Sequence, residues 1–391
     1  MTVLQETPWH EARLTAAQNW HVLATEIISI ADSVGRSLAV DCPALCDLPT
    51  YATSAMDGFA VAGLGPWHIV GEIKAGQPMT GKLLDGTSVR IATGAVIPEG
   101  TFGIIRWEVA EILDENLHGE VSEGQDIRPA AHECQQGDVL AIAGTVLTPG
   151  WVGLLAAAGY DEVVVFRKPR VALILLGDEI QLSGIPRDGL VRDALGPQLP
   201  GWLLRMGAEV ISTQYVSDDL ELVTTAVRKA IQSHDLIVTT GGTADGPRDH
   251  VHSAISALSG TLLIDRVKVR PGHPMLLARI QNEQGNKVPM LGLPGNPQSA
   301  IVALLTLGQP VIDALFGREP DNLPVIPTGD EISVPMDFTR LVLGNIVNGQ
   351  FEMGGHLGSA MLRGLANSSG FAVADSGVTE VGALVRWLPL P

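Results

Sequence analysis

Cysteine is scarce: Cys42, Cys46 and Cys134 are the only three in 391 residues. So odd and sparse a set argues against a disulfide framework and fits a reducing cytoplasm. Cys42 and Cys46 have no further Cys/His pair at a metal-ligating spacing, so they read as small buried apolar groups. Basic residues are outnumbered, 25 Lys and Arg against 43 Asp and Glu, giving a formal charge of −18. That balance argues against bare nucleic acid or an anionic membrane surface as a partner, since either needs a positive field. Aromatics make up only 4% of the chain. No stretch reaches the roughly eighteen apolar residues of a membrane span, and no basic segment leads into an apolar core at the start. The expectation is a cytoplasmic protein without membrane insertion.

What is present is turn-rich and globular. Hydrophobic residues reach 46%, charged residues 17%, and there are 44 glycines and 25 prolines. A chain of this length exceeds one ordinary core, so roughly two to four domains are expected.

Within residues 15–39, Val22, Leu23, Ile27, Ile28, Ala31 and Val34 recur at helical spacing, which predicts a packing helix that Gly35 ends as a C-cap. From 59 to 121 short apolar runs alternate with Gly, Pro and Asp turns, the pattern of a small β domain. Hairpin-like turns follow over 124–150, then a brief helix over 151–158. At Arg170 the pattern changes. Val171-Ala-Leu-Ile-Leu-Leu is a continuous apolar run, as expected for a parallel strand covered on both faces. Strand and helix signals then alternate to Gly317, which predicts an open, mostly parallel sheet. Within it, Ser217 reads as an N-cap with Asp218 and Asp219 in the first helical turn, and Arg266 onward reads as a loop. The last seventy or so residues return to short strand signals, including Phe338-Thr-Arg-Leu-Val-Leu.

Ligands of such sheets bind outside the carboxyl ends of the strands, where loops meet. Those loops carry Asp178 and Glu179, Asp218 and Asp219, Gly241 to Asp249, Arg270 to Pro274, and Pro294 to Pro297. Asp235-Leu-Ile-Val-Thr-Thr-Gly-Gly-Thr-Ala-Asp-Gly-Pro-Arg-Asp-His crowds Asp245, Arg248 and Asp249 onto one glycine turn. Glycine turns and helix N-termini suit a phosphate, and a hard cation such as Mg²⁺ would reconcile it with so many carboxylates. Each feature also has a plain reading, as a helix-start residue, a tight turn or a solvated loop charge. From the residues alone the argument reaches an anionic or nucleotide-like ligand with Mg²⁺.

Seven segments carry a resemblance: Ser54-Ala-Met-Asp-Gly-Phe-Ala-Val, Ala75-Gly-Gln-Pro, Arg90-Ile-Ala-Thr-Gly-Ala-Val-Ile-Pro-Glu-Gly, Gly177-Asp-Glu-Ile, Gly241-Gly, Arg270-Pro-Gly-His-Pro and Leu293-Pro-Gly-Asn-Pro. Over residues 31–317 their order resembles the molybdopterin molybdenumtransferase family, MoeA-type in bacteria, which includes the C-terminal E domain of gephyrin. The resemblance implies an α/β multidomain fold. A central, mostly parallel α/β domain would span residues 167–318, a small inserted β domain 51–139, an N-terminal helical and linker region 1–50 and 140–166, and a C-terminal β domain 319–391. It implies a homodimer whose cleft forms between one subunit's sheet domain and the partner's β region. The implied substrates are molybdate and adenylylated molybdopterin, with AMP as a product and Mg²⁺ as cofactor. Asp57, Thr93, Glu179, Asp218 and Asp249 match the family's catalytic positions, and the four carboxylates among them match its metal-holding ones. Gly241, Gly242, Arg270, His273, Pro294, Pro297 and Ser359 match its cofactor-binding positions.

The chain departs from that pattern at several places. Leu175 and Leu176 replace a Ser-Thr pair, Ala194 and Leu195 replace polar residues after Asp193, Ala244 replaces a hydroxyl and His273 replaces a lysine. Two readings therefore stand side by side. One is a molybdenumtransferase with a partly diverged catalytic set. The other is a gephyrin-like dimeric scaffold that holds the tail of a membrane, cytoskeletal or cell-division protein.

Overall fold

A computed structural model describes residues 4–18, 20–243, 250–319 and 322–391. The chain divides into two compact units: one comprises residues up to Glu26, Gly35–Ser37 and Phe166–Pro391, the other Ile27–Val34 and Leu38–Val165.

The larger unit is built on a sheet of 12 strands. Four of them, in the order Glu209–Val216, Arg170–Leu176, Leu236–Thr240 and Lys287–Leu293, are parallel to their neighbours. Next to them lie Leu276–Gln281 and Thr261–Arg270, both in antiparallel pairings. The sheet is thus mixed rather than mostly parallel. A tight return at Arg270-Pro-Gly-His-Pro sends the chain straight back beside itself, where a parallel neighbour would need a helical crossover. Arg266, expected to open a loop, lies inside the strand, which continues to Arg270.

Thr261–Arg270 also pairs in parallel with Thr339–Val347, through Val269 with Thr339 and Arg270 with Arg340. Beyond that junction the sheet continues through Gly370–Ala374, Leu384–Pro389 and Val325–Pro327. Thr261–Arg270 also pairs in parallel with Leu4–Pro8, a strand that the polar Gln5-Glu-Thr did not suggest.

Strand Arg170–Leu176 shows why an unbroken apolar run suits this position. Val171, Leu173 and Leu175 enter the core under the helices Trp9–Ala16, Leu195–Arg205 and Pro297–Ala303. Ala172, Ile174 and Leu176 enter the opposite core under Leu220–Ala230 and Val251–Ala257. Side chains alternate across a strand, so burial on both faces requires apolar residues at every step. The leucines that replace the resembling family's hydroxyls are therefore core residues, 1% and 4% exposed.

The helical stretch before Gly317 begins at Pro297 and contains a π turn, Leu304–Gly308, before Gln309–Leu315. Arg13 donates to the Leu305 carbonyl at 2.6 Å and the Trp9 indole donates to Thr306 at 2.9 Å, so the N-terminal helix serves polar groups at the interrupted ladder. Pro297–Leu315 is the one run among the described residues long and apolar enough to cross a membrane, and 94% of it is buried as a core element.

No helix spans 15–39: an α-helix ends at Ala16, Thr25–Ser29 is a strand and Ile30–Asp32 a 3₁₀ turn. The apolar positions at helical spacing do not share a buried face, since Ile27 is 66% and Val34 52% exposed. The β-branched Thr25, Ile27 and Ile28 suit extended backbone instead.

The smaller unit contains a six-stranded sheet in the order Gly103–Arg106, Gly58–Val61, Thr87–Ile91, Trp67–Ile73, Asn116–His118 and Glu111–Leu113. Ala60, Val89 and Ile104 pack on one face, and Phe59, Trp67 and Ile105 on the other. Helix Pro149–Ala157, N-capped by Thr148, packs with Leu38, Cys42 and Val163. Cys42 and Cys134 are buried and all three cysteines are free.

Candidate functional site

The carboxyl ends of the parallel strands form a rim in the larger unit. After Arg170–Leu176 the chain turns at Gly177, whose φ of 136° is open only to glycine. A Cβ there would lie 2.8 Å from the Glu179 carboxylate, so Glu179 folds back over the turn. Asp178 accepts a hydrogen bond from the Asp218 amide at 3.3 Å. Burial raises the Asp218 carboxyl above the usual carboxylate range; a hydrogen bond from the Asp178 backbone works against the rise, the charges of Asp178 and Glu179 add to it, and His250 opposes it. His250 Nε2 lies 3.1 Å from the Asp218 carbonyl.

The helix cap is Asp219 rather than Ser217. Its carboxylate accepts from the amides of Glu221 and Leu222, both at 2.9 Å. With Asp219 serving the helix, Asp218 remains free of that duty.

Glu179, Thr240, Gly241 and Pro297 line a cavity of about 520 Å³ together with Arg192 and Asn296. Gly241 has φ 76°, and a Cβ on it would stand 3.3 Å from the Leu176 carbonyl, while Gly295 approaches the Gly241 Cα. Two loop backbones thus pack against each other at this wall. Asp193 lines it too, but its carboxylate is occupied, accepting from the Leu195 and Gly196 amides and from the Tyr215 hydroxyl.

A second concavity of about 740 Å³ lies where the C-terminal strands join the sheet. Arg270 and Arg340 are register partners there and both line it. The Arg270 guanidinium stands 5.1 Å from the Phe338 ring centroid, and Arg340 donates to the Ser333 carbonyl at 3.0 Å. His273, Asn296, Ser299, Ser333 and Ser359 add further polar lining, with Pro294 beside them. Ser359 is tied to the Leu293-Pro-Gly-Asn-Pro turn: its carbonyl accepts from the Gln298 amide at 2.9 Å, and its hydroxyl accepts from Asn296 at 3.4 Å. Asn296 borders both concavities, so this turn is the wall between them. His273 is already partnered, with Nε2 2.8 Å from the Glu6 carboxylate.

In the smaller unit, Asp57 stands on the turn entering Gly58–Val61. A Cβ on Gly58 would fall 2.1 Å from the Ile105 carbonyl, so only glycine lets the strand approach its neighbour here. One Asp57 carboxylate oxygen accepts from the Thr93 amide at 2.6 Å and from its hydroxyl at 2.8 Å. Those two bonds, the amide first, hold the exposed carboxyl below its ordinary range.

The structure therefore brings Glu179, Gly241 and Pro297 to one cavity, and Arg270, His273, Pro294 and Ser359 to the other. Asp218 couples to Asp178 and Glu179, while Gly242, with φ 65°, continues the turn without lining either space. Asp57 and Thr93 meet each other in the smaller unit. Asp249, with Ala244, Asp245 and Arg248, lies outside the described residues. Among the described residues no group of three His, Cys, Asp or Glu side chains is placed to hold a metal by itself. Arg340, Arg192 and Ser299 were not among the site residues expected from the sequence, and Asn296 entered only within the Pro294 to Pro297 loop. Arg340 had left a signal, as the one cation within an otherwise uncharged strand run.

Two family models match the chain: "MoeA N-terminal region (domain I and II)" over residues 7–159 and "Probable molybdopterin binding domain" over 172–314. The molybdopterin molybdenumtransferase of Bacillus subtilis (strain 168) is 30% identical over 338 residues, spanning 81% of this chain and 77% of its own. The chain belongs to the molybdopterin molybdenumtransferase family. The Staphylococcus aureus (strain COL) member is 28% identical over 326 residues, covering 80% of this chain and 76% of its own. A crystal structure of the molybdopterin biosynthesis MoeA protein from Pyrococcus horikoshii shares the fold, with a TM-score of 0.80 at 22% identity over 98% of this chain and 100% of that one. This molybdenumtransferase-family chain thus has a MoeA-like α/β multidomain fold with a large mixed sheet.

Proposed function

We propose that the chain is a molybdopterin molybdenumtransferase acting in molybdenum cofactor synthesis, inserting molybdate into adenylylated molybdopterin with release of AMP. The observation that carries this reading is the pairing of Arg270 with Arg340 across two strands in a concavity whose other polar groups include Ser299, Ser333 and Ser359. Two guanidiniums offset the charge of a tetrahedral dianion, and hydroxyls bond its oxygens. Arg270 is steadied by Phe338 and Arg340 by Ser333, so both cations are held before a ligand arrives. His273 replaces a lysine without restoring a free cation, because Glu6 takes its Nε2.

Release of AMP adds water across a phosphoanhydride: hydroxide joins one phosphorus and the proton ends on the departing phosphate. Asp218, with its raised carboxyl, is the better tuned of the carboxylates to take a proton from water. Asp57, held low, stays ionised and orients rather than abstracts. Mg²⁺ binds through one or two carboxylates plus substrate phosphates rather than through an all-protein cage. Glu179 and Asp218 would hold it together with those phosphates, and Asp57 and Asp249 are the remaining family-matched carboxylates. When bound, the ion supplies charge neutralisation at the phosphates. This reading includes a cytoplasmic homodimer.

Purified protein supplied with adenylylated molybdopterin, Mg²⁺ and molybdate is expected to release AMP and yield active cofactor. Release no faster than by an Asp57→Ala variant would defeat the proposal.

The scaffold reading draws on the last strand of the sheet, Val325–Pro327, where Val325 is 58% exposed and Leu384, the partner of Pro327 on the adjoining strand, 67%. An extended tail of a membrane, cytoskeletal or cell-division protein would add there as a further strand. Capture that persists when residues 318–391 are deleted would count against it.

A further inference from the structure

In the smaller unit Trp107 follows the strand Gly103–Arg106, and its amide donates to the Asp57 carbonyl at 3.1 Å. Its indole lies flat on Phe59, with ring centroids 5.4 Å apart and planes 12° from parallel. Phe59 is fully buried, yet Trp107 is 54% exposed. Arg90 pairs with Phe59 across the neighbouring strand, on the segment that leads to Thr93. Its guanidinium sits 5.4 Å from the Trp107 centroid and 6.0 Å from that of Phe59.

At 5.4 Å from one centroid and 6.0 Å from the other, the guanidinium is shared by the two rings. With more than half of Trp107 exposed, much of the indole surface is open to solvent. Among the described residues Arg90 has no ion pair, whereas the adjacent Arg106 is committed to Asp126 by two bonds of 2.8 and 2.9 Å. The result is an exposed aromatic surface, steadied by a buried ring against it and a backbone bond to the Asp57 turn, with a cation beside it that no carboxylate neutralises.

We propose that Trp107 and Arg90 form a stacking subsite for a planar nitrogen heteroaromatic ring that carries a phosphate ester. The ring lies on the exposed indole surface and the phosphate meets Arg90. Stacking on an aromatic side chain is worth more when that side chain is held rigid beforehand, since less entropy is lost on binding. A cation at the edge of the stack favours an anionic ligand over a neutral one. Within the proposed reaction, the adenine of the AMP moiety and the pterin ring both have this chemistry, so the subsite rests on that reading for its ligand but not for its geometry.

The test uses the full chain labelled with 5-fluorotryptophan. The Trp107 ¹⁹F signal is assigned with Trp107→Phe, which keeps Phe59 covered. AMP, ribose 5-phosphate and a 6-alkyl pterin are titrated separately. AMP is expected to shift the Trp107 signal saturably, and Trp107→Leu to weaken AMP about tenfold, a typical loss for one stacked base, while leaving ribose 5-phosphate unchanged. Arg90→Gln is expected to weaken both phosphates. A larger and tighter response to the pterin assigns the face to that ring and supports the subsite equally. A Trp107 signal that none of the three moves, or equal AMP affinity with and without the indole, overturns the proposal. A chain that turns over adenylylated molybdopterin while Trp107 stays unmoved loses the subsite and keeps the activity. A chain whose Trp107 binds AMP but which releases none from that substrate does the reverse.

Discussion

Arg340→Gln removes one of the two cations that the junction of the sheet offers to an oxyanion, while keeping a side chain of comparable length. Arg270 retains its own support on Phe338, 5.1 Å from the ring centroid, so the substitution leaves the second guanidinium in place. A hydrogen bond involving a charged group contributes about 1.5–3 kcal/mol, so the molybdate concentration for half-maximal cofactor formation should rise about 10- to 150-fold. Much of the bound-state charge neutralisation is lost with it, so the effect should shrink as salt is raised. Cofactor formation measured against molybdate concentration, at two ionic strengths, reads both quantities. Thermal unfolding of the variant should be nearly unchanged, because Arg340 contributes one hydrogen bond, to the Ser333 carbonyl. A half-maximal concentration within twofold of the parent, in a folded variant, would refute the assignment of the paired arginines to the oxyanion.

Other consequences follow from the same geometry. Thr93→Val leaves the amide bond to Asp57 but deletes the hydroxyl bond, so the Asp57 carboxyl should move up toward its ordinary range, as followed by NMR titration. A carboxyl held low in the folded state contributes stability above its unfolded value, and that stability is lost as pH falls through the folded value; the variant should lose less over this acid window. Asp218 has the opposite sign: its raised carboxyl opposes folding when ionised, so Asp218→Asn should stabilise at neutral pH, with the gain vanishing as the pH falls below the carboxylate range. The same variant should release AMP more slowly, and a faster release would remove Asp218 from the chemistry. Gly58→Ala forces a methyl group to 2.1 Å from the Ile105 carbonyl and should cost at least about 1–3 kcal/mol, as overpacking typically does, measured by denaturant unfolding. Trp9→Phe strands the buried Thr306 hydroxyl and should cost a further ~1–3 kcal/mol.

The residues that announced themselves in the sequence did so where one physical demand dominated. Arg170–Leu176 is apolar at every step because both faces are covered, and that demand is visible without coordinates. Gly58 and Gly177 stand where a Cβ would strike a backbone carbonyl or a folded-back carboxylate, and Gly241 has the left-handed φ of 76° that favours glycine, so motif and structure agree on them. Long-range pairing left no such trace. Nothing local in Gln5-Glu-Thr says that it will run beside Ile264 and Asp265, and with that strand went the contact that occupies His273. The junction of Arg270 with Arg340 joins positions seventy residues apart and depends on a register that no periodicity reveals. The misread segment over 15–39 had helical spacing but not a shared buried face, and burial decides between the two. Asp218 and Asp219 look alike in sequence; the backbone separates them into a carboxylate at the rim and a helix cap.

The most direct measurement of the central claim is a mole-for-mole count in one reaction. Purified chain is given adenylylated molybdopterin, molybdate and Mg²⁺, the AMP released is quantified by chromatography, and the cofactor formed is titrated by reconstituting a molybdenum enzyme. The account predicts equal moles of AMP and active cofactor, at a rate that collapses in Asp57→Ala and becomes dependent on higher molybdate in Arg340→Gln. AMP release at the level of the Asp57→Ala variant, with no cofactor formed at any molybdate concentration, would contradict it.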